Sequence, residues 1–202
     1  IEYSVALQRY GNLEQENQHL RTLLGAQQRT PLHTQLAEIL TIPRDPYQRQ
    51  IIVNRGSQQN IHGGQAVIDN LGLLGQVTRV YPYSSEVTLL TNKDQSIPVT
   101  IQRTGQRAVM FGMGQDDTVE VRYLPHNTDV RAGDLLVTSG IDGVYPSGLQ
   151  VAKVTQIDLN SSRAFAHIEC KPLASVDRNR QVLIIDATLP TKPPAPATTG
   201  KH

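Results

Sequence analysis

The pattern of apolar positions changes character near residue 30. Before it, apolar residues recur at heptad spacing: with position a at Tyr3, Tyr10, Asn17 and Leu24, position d falls on Ala6, Leu13 and Leu20. This reads as the seam of a short dimerising helix over residues 1–30. Asn17 favours a two-stranded, in-register pair, because a buried amide is satisfied when it faces its twin. Gly11 weakens the helix and the seam is short, so an amphipathic helix packed on its own domain is the competing reading. Gly25 and then Thr30-Pro31 make continuation unfavourable.

Beyond Pro43 the period shortens to two. Ile97-Pro-Val-Thr-Ile101 and Val119-Glu-Val-Arg-Tyr123 alternate as half-buried strands do. Ile51–Val53, Val87–Leu90, Leu135–Val137, Val151–Ile157 and Val182–Ile185 are apolar runs of strand length. Turn clusters such as Gly63-Gly64, Asn92-Lys-Asp94 and Pro125-His-Asn127 separate them. Many short strands with this punctuation predict a mainly β chain folded as a sandwich or as small barrels. Pro98 inside a strand pattern marks an edge or a bulge. Leu32 to Leu40 fits a helix through Leu32, Leu36, Ile39 and Leu40 better than it fits one strand face. There is also a faint repeat. Ile61-x-x-Gly64-Gln65-x-Val67 leads to Gly72-Leu73 and Val77-Thr78, and Val130-x-x-Gly133-Asp134-x-Leu136 leads to Gly148-Leu149 and Val154-Thr155. Duplication and shared β-turn grammar both produce such a repeat. Either one favours two β units over one large sheet.

Composition narrows the function. The chain has 202 residues, enough for one medium domain or two small ones. Nineteen basic against eighteen acidic residues, with no Lys/Arg run, leave no electrostatic footprint for nucleic acid. Cys170 is the single cysteine, so an internal disulfide is excluded. Its alternation with Ala166 and Ile168 predicts a buried structural thiol. No apolar stretch reaches the roughly 20 residues of a bilayer span. The chain opens inside a helical pattern without an initiating Met, so a preceding segment is expected. Residues 189–202, rich in Pro, Ala and Thr, predict a disordered tail.

Candidate chemistry is sparse. The six histidines, at 19, 33, 62, 126, 167 and 202, share no metal-ligand spacing, and neither a metal nor a cofactor is expected. Thr138-Ser139-Gly140 is the nearest approach to a nucleophile, with His62 or His126 and Asp69 or Asp129 as conceivable partners. Ser139 lacks the flanking glycines of a nucleophile elbow, and Ser-Gly after a strand is ordinary turn chemistry. Gly140 to Gly148 lacks the strand–turn–helix frame of a phosphate loop. The chain reads as a non-enzyme.

In order and spacing, several segments resemble one family, that of the rod shape-determining protein MreC. They are Ile52-x-x-Arg55-Gly56, Asn60-Ile61-x-x-Gly64-x-x-Val67, and Gly72-Leu73-x-Gly75-x-Val77-x-x-Val80. They continue with Leu89-Leu-Thr91, Ser96-Ile-Pro98-Val99, and Tyr123-Leu-Pro125 leading to Asp129-Val130-x-x-Gly133-Asp134. The most specific is Thr138-Ser139-Gly140-x-Asp142-Gly143-x-Tyr145-Pro146-x-Gly148-Leu149-x-Val151. With the heptad helix, the match covers about residues 5–186. The resemblance implies a dimerising helix followed by two small β-barrels, and it assigns Leu36 to Pro43 to a strand. It implies a discontinuous first barrel from residues 35–75 plus 157–188, and a second from 76–156. It further implies a membrane anchor before Ile1 and a location on the periplasmic side of the bacterial inner membrane.

The function so implied is a scaffold of the wall-elongation machinery. It would self-associate as a dimer, with extension into a filament left open. It would bind and activate a class B penicillin-binding protein, alongside other elongation-complex membrane proteins, by differential affinity for its competent state. Tyr81, Tyr83, Tyr123 and Tyr145 are the candidate partner patch, with half-buried barrel aromatics as the competing reading. Gly140, Gly143, Pro146 and Gly148 most simply fix a corner between strands. Two other classes stay open: a degenerate or active two-barrel serine hydrolase, and a glycan-binding module using the tyrosines as stacking platforms.

Overall fold

The computed structural model describes residues 16, 20, 22, 33–43, 49–114, 117–158, 165–176 and 180–186. Of the heptad segment only Glu16, Leu20 and Thr22 are described, each with helical backbone. The seam positions Tyr3, Tyr10, Leu13, Asn17 and Leu24, and the tail 189–202, lie outside the described residues. The rest is mainly β, in two closed six-stranded barrels.

The first barrel contains β1 (His33–Thr41), β2 (Gln50–Val53), β3 (Ala66–Ile68), β4 (Leu73–Val80) and β5 (Ser85–Leu89). It is closed by β12 (Gln181–Asp186), which lies between β1 and β3. The second contains β6 (Ser96–Ile101), β7 (Arg107–Gly112), β8 (Val119–Leu124), β9 (Leu135–Thr138), β10 (Gln150–Asp158) and β11 (Ala166–Pro172). The divisions expected at 75/76 and 156/157 therefore fall inside β4 and β10 and are corrected. β4 pairs with β5 from Gly75 to Val80, and β10 pairs with β11 from Ala152 to Asp158, so each hairpin stays in one barrel.

Both rings have one topology. Around the first the order is β12-β1-β2-β5-β4-β3, and around the second it is β6-β7-β8-β11-β10-β9. Every neighbour pair in one has its counterpart in the other if β12 stands for β6. The first barrel is thus a circular permutation of the second, its leading strand supplied from the far end of the chain. The sequence repeat has the same basis. Gly64 N donates to Val77 O and Gly133 N to Val154 O, at 2.7 and 2.8 Å. Val77 N donates to Gln65 O and Val154 N to Asp134 O, both at 2.9 Å. The Gln65 and Asp134 side chains accept from His62 N and Arg131 N, closing the same turn.

The segment from 33 is a strand, not a helix. Ala37 and Ile39 face the barrel interior, while Leu36 and Leu40 point outward and are exposed, so the helical spacing of the leucines was coincidental. Pro98 is neither at an edge nor in a bulge. It pairs with Val109 of β7, and its carbonyl accepts from Ser139 N, just past the end of β9. Its missing N–H falls on that side, where no ladder partner remains.

β12 holds the barrels together. Val182 and Ile184 face the first core with Val53 and Val67, whereas Leu183 and Ile185 face a larger cluster built on the second barrel. Ile68, Leu73 and Leu90 join that cluster beside Val151 and Tyr145. At the same contact a Cβ on Gly72 would lie 2.3 Å from Gln150 O, so the backbones of the two barrels meet where a side chain cannot fit. Gly72→Val is expected to lower stability by about 1–3 kcal/mol through enforced separation of the barrels. A urea midpoint equal to that of the parent chain would contradict this contact.

Candidate functional site

The exposed feature of the second barrel is an apolar face on the outer side of β6, β7 and β8. Strand alternation sends Ile97, Val99, Ile101, Met110 and Val121 inward, leaving Pro98, Val109 and Phe111 on the outside. At the end of β8 the ladder to β11 slips: Ala166 pairs with Leu124 but Ile168 pairs with Val121. One extra residue is accommodated on β8, and Tyr123 takes φ +65° in the bulge. That conformation is unfavourable for a side chain bearing a Cβ. Its consequence is a Tyr123 ring aimed outward and 62% exposed.

Tyr123 sits between two phenylalanines, edge-on to both. Its centroid is 6.0 Å from that of Phe111 and 5.8 Å from that of Phe165. The Arg122 guanidinium lies 4.7 Å above the Phe111 ring. It is held there by Glu120, a buried carboxylate that bonds Arg122 Nε and lies 3.3 Å from His167 Nδ1. Beside these rings a groove of about 320 Å³ is lined by Pro98, Val109, Arg107, Arg122, Tyr123 and Ile141, among others. Ile141, at the tip of the loop after β9, is 64% exposed. These exposed apolar side chains make the face the candidate interaction surface of the described residues.

The four expected patch tyrosines do not form one surface. Tyr81 and Tyr83 are exposed in the β4–β5 turn of the first barrel, where Tyr81 Oη donates to Glu86 Oε1 at 2.8 Å. Tyr123 is on the second barrel. Tyr145 is 4% exposed and is removed from the patch: it packs in the inter-barrel cluster, its hydroxyl 3.4 Å from Gln76 Oε1. Burial, with Asp142 adding to it, pushes the Tyr145 phenol upward in pKa. Phe111, Phe165 and Ile141 were missed. The signal for Phe111 was present, since Val109 and Phe111 flank the inward Met110 in alternation. Phe165 precedes its strand and carries no periodic signal.

The Thr138–Gly148 motif builds a corner. Thr138 Oγ1 donates to Pro146 O and accepts from Leu149 N at 2.9 Å, closing the loop on itself. Gly140, Gly143 and Gly148 all have positive φ. At Gly140 a Cβ would also approach Ser147 Cβ to 2.9 Å. The imagined acids for Ser139 are occupied elsewhere. Asp69 Oδ1 accepts from Leu71 N and Gly72 N, and Asp69 Oδ2 from Ser175 N. Asp129 accepts from Arg103 Nη1 at 2.7 Å. Cys170 is fully buried, and desolvation, with Glu169 nearby, pushes its thiol up to about 12. A second concavity, about 420 Å³ at the barrel junction, is lined by Leu71, Leu74, Leu89, Leu173 and Val176 among others, with Asp117 and Lys171 also on its wall. Among the described residues no cluster of His, Cys, Asp and Glu could hold a metal ion. No described helix is long and apolar enough to cross a membrane.

Two permuted barrels locked through a shared core, presenting an aromatic sheet face, define a tandem-barrel β protein. A family model for rod shape-determining protein MreC, barrel core, matches residues 39–186. The chain belongs to the MreC family of cell shape-determining proteins. The cell shape-determining protein MreC of Haemophilus influenzae is 40% identical over 173 residues, covering 86% of this chain and 49% of the relative. The chain thus spans about half the length of the curated relatives it matches. A solved MreC structure, 35% identical, aligns over 86% of this chain and 99% of its own with a TM-score of 0.82. Two more distant structures share the fold. One, 22% identical with a TM-score of 0.65, covers 76% of this chain and 95% of its own. It is described as the major periplasmic domain from the cell shape-determining filament MreC. The other, 15% identical with a TM-score of 0.63, covers 78% of this chain and 99% of its own. It comes from a complex between penicillin-binding protein PBP2 and MreC of Helicobacter pylori.

Arg103 bridges the β6–β7 turn to the loop before β9, bonding Asp134 at 2.8 Å and Asp129 at 2.7 Å. Hydrogen bonds from Arg103 hold both carboxyls below the ordinary aspartate range. Groups with depressed folded-state pKa stabilise above their unfolded value, about 3.9, and that contribution is lost as pH falls through the folded value. Arg103→Gln should therefore be less stable than the parent chain at pH 7, with the gap closing below about pH 4. Urea titrations of both chains from pH 7 to pH 2.5 measure this, and a gap that widens in acid would contradict it.

Proposed function

We propose that this chain is the periplasmic part of a non-catalytic scaffold for wall elongation. It pairs through the heptad segment and binds a class B penicillin-binding protein through its barrels. The observation that carries this reading is the rigid double barrel with an exposed aromatic face, in a fold whose Helicobacter pylori relative is found in complex with PBP2. Its action is equilibrium bias: a surface that fits one arrangement of the synthase better than another raises the population of the first by its differential affinity. Location on the periplasmic side of the inner membrane is supported by the relative described as a periplasmic domain. Filament formation requires a heterologous barrel contact that does not close, in addition to the helix seam. Other elongation-complex membrane proteins are partners in the same reading.

Sedimentation velocity on residues 1–202, beside a chain beginning at residue 31, separates the two activities. The longer chain should dimerise and the shorter remain monomeric, while both bind the soluble domain of a class B penicillin-binding protein. Leu13→Asp with Leu20→Asp should dissociate the dimer and leave the β circular dichroism intact. Two monomeric chains that both fail to bind the synthase would contradict the scaffold. Pelleting of either chain with purified sacculi in the absence of a synthase would support a glycan-binding module instead.

A further inference from the structure

We infer that the concavity at the barrel junction binds a small anionic amphiphile, its hydrocarbon chain between the barrels and its head group at Lys171. The site is separate from the aromatic face and does not depend on how a synthase is bound. Its walls come from both barrels: Leu71, Leu74 and Leu89 from the first, Asp117 and Lys171 from the second, and Ser175 from the segment leading to β12. These walls are held apart by a buried carboxylate. Asp69 Oδ1 accepts from Leu71 N at 2.7 Å and from Gly72 N at 2.9 Å, while Oδ2 accepts from Ser175 N at 3.2 Å. One side chain thus ties the β3–β4 turn to the segment before β12. Elsewhere on the wall, Arg49 meets Asp117 at 3.2 Å and joins the approach to β2 to the β7–β8 turn. With Gly72 already against the Gln150 backbone, the barrels cannot close further to fill the space. A preformed hollow of about 420 Å³ lies within the roughly 300–1,000 Å³ of small-molecule sites.

The chemistry of the lining defines the ligand. Leu74 and Leu89 are buried and Leu71 is half-exposed, a surface suited to a hydrocarbon chain. The two wall charges differ in their commitments. Asp117 is neutralised by Arg49, whereas Lys171 is exposed and bonds no carboxylate among the described residues. Across the ladder Lys171 stands directly opposite Lys153 of β10, which is exposed and equally without a carboxylate. Like charges in register destabilise a sheet, and an anionic group beside them relieves the repulsion. The unneutralised charge at this hollow is therefore positive. A polar anion would leave the leucines wet, and an uncharged hydrocarbon would leave Lys171 unused. A carboxylate or phosphate head on a hydrocarbon chain satisfies both, with little rearrangement because the walls are already fixed.

The test is a fluorescence titration of the full 202-residue chain with dansyl-undecanoate, then displacement by dodecanoate, dodecanol or dodecyltrimethylammonium. Dodecanoate should displace the dye about tenfold better than dodecanol, and the cationic amphiphile should be weakest. Lys171→Glu should weaken dodecanoate about tenfold while leaving dodecanol unchanged, a split that a merely greasy surface does not produce. Leu71→Asp, at a position 43% exposed, should weaken both. Both substitutions replace exposed side chains, so their urea midpoints should match that of the parent chain. Ile141→Asp, on the aromatic face, should weaken neither ligand. Vesicles of phosphatidylglycerol, compared with phosphatidylcholine, separate two sources of the same chemistry. Flotation of the parent chain but not of Lys171→Glu assigns a bilayer lipid, and dodecanoate binding without flotation assigns a free amphiphile. Absence of saturable binding by the parent chain overturns the site, as does parent-like binding by both Lys171→Glu and Leu71→Asp. Loss of binding in Ile141→Asp alone would move the amphiphile to the aromatic face and equally overturn the inference.

Discussion

The placement of one barrel against the other depends on β12 being buried on both sides. Val182 and Ile184 fill the first barrel, while Leu183 and Ile185 turn outward into the cluster that surrounds Tyr145 and Val151. A strand with four consecutive buried residues carries no solvent face, and none of its apolar surface is satisfied until both barrels are in place. Burying one such side chain is worth roughly 1.5–3 kcal/mol, so this strand couples the stability of the barrels to each other. The junction is also sterically exact in the sense that Gly72 touches Gln150 backbone with no room for a methyl group. The spacing between the first-barrel hairpin and the second-barrel aromatic face is thereby held by packing.

The permuted topology gives this arrangement its logic. The second barrel is continuous from β6 to β11, and it lies between β5 and the strand that completes the first. The first barrel therefore closes only after the second has been traversed, a long-range pairing with a correspondingly large loop to close. The same turn, with the same backbone hydrogen bonds, follows Gly64 and Gly133. One of its members uses Gln65 and the other Asp134, and the difference is consequential, because an acid can recruit Arg103 where an amide does not.

Much of the local structure was legible. The alternation at Ile97–Ile101 and Val119–Tyr123 located β6 and β8, and the repeated turn glycines marked two β units. Placement of strands in rings was harder to read, because barrel membership is set by pairing between distant segments and not by the period within one. The division at residue 76 cut through a strand whose hydrophobic pattern runs on unbroken to Val80. Leu36 and Leu40 misled for a different reason: exposed leucines on an outer barrel face imitate a helical stripe. At the site, Tyr123 was expected in a surface patch and is exposed, but the bulge that displays it has no signature in a tyrosine. For Tyr145 the patch and the half-buried barrel aromatic both stayed open, because nothing in Asp-Gly-x-Tyr-Pro reveals that the loop folds inward against Gln76. The heptad seam, which was the first feature of the sequence, lies mostly outside the described residues.

The proposed docking face lies on the second barrel, with the first barrel as its support. Hydrogen exchange read by mass spectrometry, with and without the soluble domain of a class B penicillin-binding protein, tests that division directly. Added protection should concentrate in peptides covering 107–112, 119–124 and 139–143, with the β4–β5 turn around Tyr83 unaffected. Protection confined to residues 78–86, with the second barrel exchanging as it does alone, would contradict the account.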